Sequence, residues 1–152
     1  MPVLLLTVSG ALFSSILSTW LVDRFLAERV SIIGSFVGFE RTVNDGIAFG
    51  IDLPPWLIAT LIPAVLIFVV VLAFRSRNDQ QSFIAFGLIL GGALGNIIDR
   101  FNDGQVTDFI RIGWWPYFNI ADSCITVGVL FLLILEFRTK RETRREILNS
   151  KF

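Results

Sequence analysis

Two copies of one polar pattern, Asn96-x-x-Asp99 and Asn119-x-x-Asp122, sit in an otherwise apolar chain, with a third acid, Asp108, between them in Val106-Thr107-Asp108-Phe109-Ile110. Carboxylates at the edge of a bilayer are costly because low dielectric disfavours their charge. Two of them brought close share one proton, titrate as a pair, and together can activate water and polarise a carbonyl. The absences narrow the chemistry to that kind. The chain has no histidine, its lysines are Lys140 and Lys151 in a polar tail, and Cys124 is its one cysteine. Ser-His and Cys-His catalysis, histidine-ligated metal sites and internal disulfides are therefore excluded, and no lysine stands near the acids to complete a Ser-Lys dyad.

On helical spacing Asn96 and Arg100 share one face, as do Asn119 and Asp122. Asn102-Asp103-Gly104 reads as a surface turn that returns Val106 to Ile110 to the helix ends, so that Asp108 and Asp122 meet with Asn96, Asn119 and Arg100 around them. Each residue also has a purely architectural explanation. Asp99-Arg100 reads as an interfacial ion pair, Asn119 as a helix N-cap, and Asp122 as a first-turn acid that complements the helix dipole. Those explanations do not cover an Asp122 that reads as a full turn inside an apolar span. Asp103, Asp45 and Asp52 read as turn or solvated loop acids, Glu136 as a partner of the basic tail, and Cys124 as a small core residue.

The elements that must carry these side chains read as membrane helices. Apolar residues make up 54% of the 152 and charged ones 17%, an apolar excess for a soluble chain. The net charge of zero gives no sign of a nucleic-acid partner. Four apolar segments, approximately 3–22, 56–74, 82–98 and 118–137, each come near the ~20 residues that cross ~30 Å of hydrocarbon. The first has no basic n-region and no small-residue cleavage site, so a retained helix is expected there rather than a signal peptide. Gly87, Gly91 and Gly95 on the third form a small-residue stripe that lets helix backbones approach. The expected fold is an all-α integral membrane protein, a single domain over 1–152. It has four transmembrane helices, a small extracytoplasmic β-rich loop region, and a basic cytoplasmic tail at 138–152.

Four spans put both termini on one side. That side carries eight basic residues, in the 75–81 loop and the tail, against five in the other loops, so the termini are expected in the cytoplasm and the acids near the outer face. Trp20, Trp56, Trp114, Trp115 and Tyr117 fall where interfacial rings prefer to sit. The 23–55 loop is too long for a connector. Its Ser31–Phe39 stretch reads as a strand or hairpin, Asn44-Asp45-Gly46 as a turn, and Pro54-Pro55 as a stop to extended structure. Its glycines, Gly34, Gly38, Gly46 and Gly50, read as those of a mobile strand-like flap, with Asn44 presenting its amide to a substrate backbone.

Four stretches, Asn44–Gly50, Gly91–Arg100, Val106–Phe109 and Phe118–Ser123, resemble in sequence and order the signature boxes of the lipoprotein signal peptidase (signal peptidase II) family. The resemblance implies an intramembrane aspartic endopeptidase of the bacterial inner membrane, cleaving diacylglyceryl-modified prolipoproteins before the lipidated cysteine. It makes Asp108 and Asp122 the catalytic dyad, and Asn44, Gly46, Asn96, Arg100 and Asn119 substrate-positioning or dyad-supporting residues. Asp99 becomes a structural partner, as does Asp23, although the lysine usual a few residues after it is missing and Arg24 or Arg29 is the expected stand-in. The stretch between Asp108 and Asp122 is short for the family. No cofactor and no metal are implied; the expected partners are the prolipoprotein substrate and membrane lipid, with the chain acting as a monomer.

The alternative is a small transport or channel subunit with Asp99, Asp108 and Asp122 as a proton or cation relay. A relay spreads acids through membrane depth, whereas here they gather at one face. A scaffold packed through the glycine stripe is a third reading, and neither accounts for the four boxes.

Overall fold

The computed structural model describes residues 1–46, 54, 57, 60, 64–65, 67–71 and 80–149. Helix α1 (Pro2–Phe25) opens with proline in its first turn, where the missing N–H costs nothing. Its apolar side chains point all ways, with Leu5, Leu6 and Phe13 exposed, as expected where the surroundings are lipid. Thr7 and Ser15 donate their hydroxyls to the carbonyls of Val3 and Ala11 at 2.8 and 2.7 Å, so neither is left unsatisfied. Helix α2 (Gln80–Asp103) and helix α3 (Ile120–Asn149) follow. Among the described residues these three helices are long and apolar enough to cross a membrane. The third continues unbroken from its apolar part into the basic tail, where Glu136 and Lys140 pair at 3.0 Å.

Most of the expected second span, 56–74, lies outside the described residues, as do the 75–79 part of the expected 75–81 loop, Trp56, Gly50, Asp52, Lys151 and most of the chain between Gly46 and that span. Its described positions are helical, and Val69 and Val70 pack against the buried cluster of Leu4, Phe83, Phe86 and Leu90.

Helix α2 is the most enclosed of the three and is pressed between the others. A Cβ added to Gly87, Gly91 or Gly95 would lie 2.6, 2.6 and 2.7 Å from the Cβ atoms of Thr7, Ala11 and Ser15. Two stripes with the same four-residue spacing therefore face each other, and van der Waals contact of this closeness is what holds helices together in lipid. On the opposite side a Cβ on Gly92 would meet the Ala121 carbonyl of α3 at 2.5 Å.

At one end of the bundle stands a three-stranded antiparallel sheet in the order β1 (Val30–Ile33), β2 (Val37–Asn44), β3 (Val106–Ile112). The hairpin over 31–39 was expected; its pairing to β3 was not. Of the 23–55 loop read as a strand-like flap, the described strands are paired, β2 on both edges, and Gly50 lies outside the described residues. Two of its glycines have structural reasons. Gly34 turns the hairpin at a positive φ, and a Cβ on Gly38 would stand 2.7 Å from the Val30 carbonyl.

The tight α1–α2 contact yields an expectation for stability. Gly91→Val should lower the thermal midpoint of the detergent-solubilised protein by the equivalent of about 1–3 kcal/mol, the usual cost of overpacking. Gly10→Ala, which meets nothing within 4 Å, should not lower it. Equal midpoints for the two variants would refute the close contact.

Candidate active site

The polar end of the bundle is assembled from the last turns of α1 and α2, the first turn of α3, and the edge strand β3. Asp108 lies in β3 among Val106, Thr107 and Phe109, all buried, and is itself only 2% exposed. Its two carboxylate oxygens accept from different elements: Oδ2 from Asn44 Nδ2 at 3.0 Å, and Oδ1 from Asn119 Nδ2 at 3.1 Å. Burial pushes the Asp108 carboxyl up to about 6. The Asn44 bond and the Arg100 charge pull against that rise, while the charges of Asp122 and Asp99 add to it.

Asp122 is fixed by the way α3 begins. Asn119 precedes the first helical residue, and its Oδ1 accepts from the Asp122 backbone N–H at 2.9 Å. The Asp122 carboxylate accepts in return from the Asn119 backbone N–H at 3.3 Å. This is a reciprocal capping box, built from Asn and Asp. Asp122 therefore sits in the first turn of α3, not a full turn inside it, because the helix starts at Ile120 rather than 118. Its other oxygen accepts from Asn96 Nδ2 at 2.8 Å. Asn96 Oδ1 in turn accepts from Asn119 Nδ2 at 3.0 Å. Asp108 and Asp122 are thus joined through two asparagine amides, one from α2 and one from the α3 cap. The Asn119 amide has two hydrogens and three acceptors in reach, including the Thr107 carbonyl at 3.4 Å, so its bonds are shared.

The remaining residues surround this relay. Arg100 donates to the Gly46 carbonyl at 2.7 Å, and its buried Nε has no partner among the described residues. Asn44 donates from Nδ2 to Asp108 and accepts at Oδ1 from the Gly46 N–H, at 3.0 Å each, so it holds the acid with one side of its amide. Asp99 accepts from the Thr107 N–H at 2.7 Å and pins β3 to the end of α2. Asp23 pairs with Arg41 of β2 at 2.7 Å, so the cation beside it is neither Arg24 nor Arg29. Arg29 instead donates to the Ser35 carbonyl. Asn102 and Asp103, expected in a surface turn, are instead the last residues of α2; Asp103 accepts from the Gln105 N–H, and Asp45 accepts from the Gln105 side chain. Among the described residues no group of three or more Asp, Glu or Cys is placed to hold a metal ion.

Sequence reasoning passed over one cluster. Glu40 of β2 accepts from Tyr117 Oη at 2.7 Å and from Arg111 Nη1 at 3.2 Å, and the Arg111 guanidinium lies 5.8 Å from the Tyr117 ring centre. The Tyr117 hydroxyl bond, aided by Arg111, holds Glu40 below the usual carboxylate range. Tyr117 is the chain's one tyrosine and reads from sequence as an interfacial ring. An acid in a strand otherwise rich in β-formers was the available signal.

Comparison with known proteins places this architecture among bacterial membrane enzymes. A structure described as a bacterial membrane enzyme, solved by the in meso method at 2.3 Å resolution, superimposes with a TM-score of 0.81 at 26% identity, covering 92% of this chain and 90% of that one. The chain belongs to the signal peptidase (SPase) II family, whose model matches residues 7–138. The lipoprotein signal peptidase of Chlorobium luteolum is 39% identical over 134 residues, 79% of this chain and 80% of that protein. That of Syntrophomonas wolfei is 42% identical over 129 residues, 82% and 86% of the two. The chain is accordingly a membrane protease of the aspartic class with signal peptidase II activity.

The double duty of Asn119 is open to test. Asn119→Ala removes the cap and should cost about 0.5–2 kcal/mol in thermal unfolding, with peptidase turnover falling at least tenfold. Asn119→Asp keeps a capping oxygen but replaces the shared donor with an acceptor. It should fold with less loss than the alanine variant and yet cleave no better. Full turnover in Asn119→Asp would show that the cap alone matters.

Proposed function

We propose that Asp108 and Asp122 are the catalytic pair that cleaves diacylglyceryl-modified prolipoproteins just before the lipidated cysteine. The observation that carries this reading is the asparagine relay, which ties two carboxyls from different elements to one another. Asp108, the carboxyl that burial favours in its neutral form, holds the shared proton. Asp122 takes a proton from a water held between them, and that water attacks the scissile carbonyl. Asp108 donates to the developing oxyanion; as the C–N bond breaks, the leaving cysteine amine takes the proton that Asp122 received from the water, and the collapsing diol returns a proton to Asp108. Asn44, Asn96 and Asn119 keep the two carboxyls apart in role by giving each its own donors. Arg100 holds the Gly46 carbonyl and so fixes Gly46 just past the end of β2. Asp99 and Asp23 are supports that fix the sheet to α2 and α1.

The same reading takes 1–152 as one unit in which the apolar segment 56–74 is a fourth span. Both termini then lie in the cytoplasm, the acids near the outer face, and the diacylglyceryl chains in lipid between helices. The chain acts as a monomer. The transport reading finds no support in the clustering of the acids at one end of the bundle.

Cleavage of a diacylated prolipoprotein by the detergent-solubilised enzyme tests the pair. Asp108→Asn and Asp122→Asn should each lower turnover by at least a thousandfold, and Asp103→Asn should leave it within about twofold. The pH profile adds a sign. A raised carboxyl keeps its proton up to about 6 and loses it above, so kcat/KM of the wild type should fall about tenfold per pH unit beyond that point. The fall in kcat should begin at higher pH, because bound substrate removes further water from Asp108. A kcat/KM unchanged between pH 6 and 8 would overturn the role given to Asp108.

Orientation has its own check. A reporter fused after Phe152 should read cytoplasmic and one inserted at Asp103 external; the opposite pattern would place the pair on the wrong side for this substrate.

A further inference from the structure

We propose that Glu40, Arg111 and Tyr117 form a clamp that sets the spacing of the catalytic pair without touching the reacting atoms. The inference rests on the assignment of Asp108 and Asp122 above. Its ground is where the three residues stand. Glu40 is on β2, four residues before Asn44; Arg111 is on β3, three after Asp108; Tyr117 is two before the Asn119 cap and five before Asp122. Of the four elements that bring a side chain to the pair, β2, β3 and the segment leading into α3 each thus supply one member of the clamp, while α2, which brings Asn96, supplies none. Glu40 is bonded to both other members, and Arg111 lies against the ring of the third.

The backbone between the acids explains why a clamp is needed at this point. Phe118 folds back onto β3, its carbonyl accepting from the N–H groups of Phe109 and Ile110 at 3.1 and 2.8 Å, and its own N–H donating to the Ile110 carbonyl at 3.3 Å. That narrow bridge is the backbone link that sets β3 against the start of α3, and it is flanked on the chain's excursion by exposed Trp114. Beyond that bridge the start of α3 is tied to β3 only through the Asn119 side chain among the bonds described above. Tyr117, adjacent to Phe118, adds a tie by reaching across β3 to β2, and Arg111 closes the triangle. The register of β2 against β3 slips between Phe39 and Thr42, so ordinary ladder bonds are interrupted beside Glu40. The side-chain contacts take over there.

Glu40 and Arg111 are roughly a third exposed, so the effect of the clamp is modest: a several-fold change in rate rather than its abolition. Tyr117→Phe removes one hydroxyl and keeps the ring. Glu40→Ala removes the hub, and Glu40→Gln keeps an oxygen for the Tyr117 hydroxyl.

The test is steady-state cleavage of a diacylated prolipoprotein by the full chain in detergent, with thermal midpoints measured alongside. Tyr117→Phe and Glu40→Ala should each lower kcat about three- to tenfold with KM within twofold. The double variant should be no slower than the worse single, because both break one device. Glu40→Gln should recover at least half of the kcat lost in Glu40→Ala. A rise in KM at unchanged kcat would make the cluster a substrate contact and overturn the inference. So would an unchanged kcat, or a fall in kcat that matches the loss of folded protein. The aspartate variants keep the two claims apart. Active Asp108→Asn or Asp122→Asn enzyme sinks the pair itself, whereas inactive aspartate variants beside an unaffected Tyr117→Phe sink only the clamp.

Discussion

The arrangement depends on how α3 starts. A helix N-terminus leaves backbone N–H groups without partners, and at the margin of an apolar span there is little water to take them. Asn119 and Asp122 satisfy that requirement for each other. In doing so they fix the orientation of a carboxylate that would otherwise be free to turn, and they aim the remaining Asn119 amide at Asp108. Capping and the geometry of the acid pair are one set of bonds. The architectural and chemical explanations of these residues, which look like rivals when each residue is taken alone, describe the same atoms.

Around that cap the rest is arranged to prevent movement. Matched small-residue stripes seat α2 on α1, and Gly92 seats it on α3, so the Asn96 amide arrives on a helix held from both sides. The sheet is fastened at three corners, by Asp23 with Arg41, by Asp99 with the Thr107 N–H, and by Phe118 with Ile110. A buried carboxyl surrounded by fixed amides keeps its environment from one turnover to the next, which is what preorganised electrostatics requires.

Much of this was legible in the sequence because it is local. Length and hydropathy located the three helices described in full, and the Asn-x-x-Asp spacing brought Asn119 and Asp122 to one face. The absence of histidine left carboxylates as the proton carriers. What escaped was non-local. Pairing β2 to β3 joins residues more than sixty positions apart, and no periodicity in either stretch encodes the partner. The partner of Asp23 escaped for the same reason, since Arg41 is distant in sequence and adjacent only once the sheet forms. The packing roles of Gly34 and Gly38 escaped because a turn and a close approach ask for the same residue as a flexible segment does. Tyr117 misled because an interfacial ring and a hydrogen-bonding hydroxyl are the same side chain.

The bridge from Phe118 to Ile110 has a consequence for how such proteins can differ in length. It closes the excursion between them into a loop whose two ends are already bonded, and the acids lie outside the loop on either side. Separation along the chain is thereby uncoupled from separation in space. The excursion's own tie, the Gly113 N–H on the Phe36 carbonyl at 2.6 Å, runs to the β1–β2 turn and not to either acid, so the length of this loop and the placement of Asp108 and Asp122 are set by separate contacts.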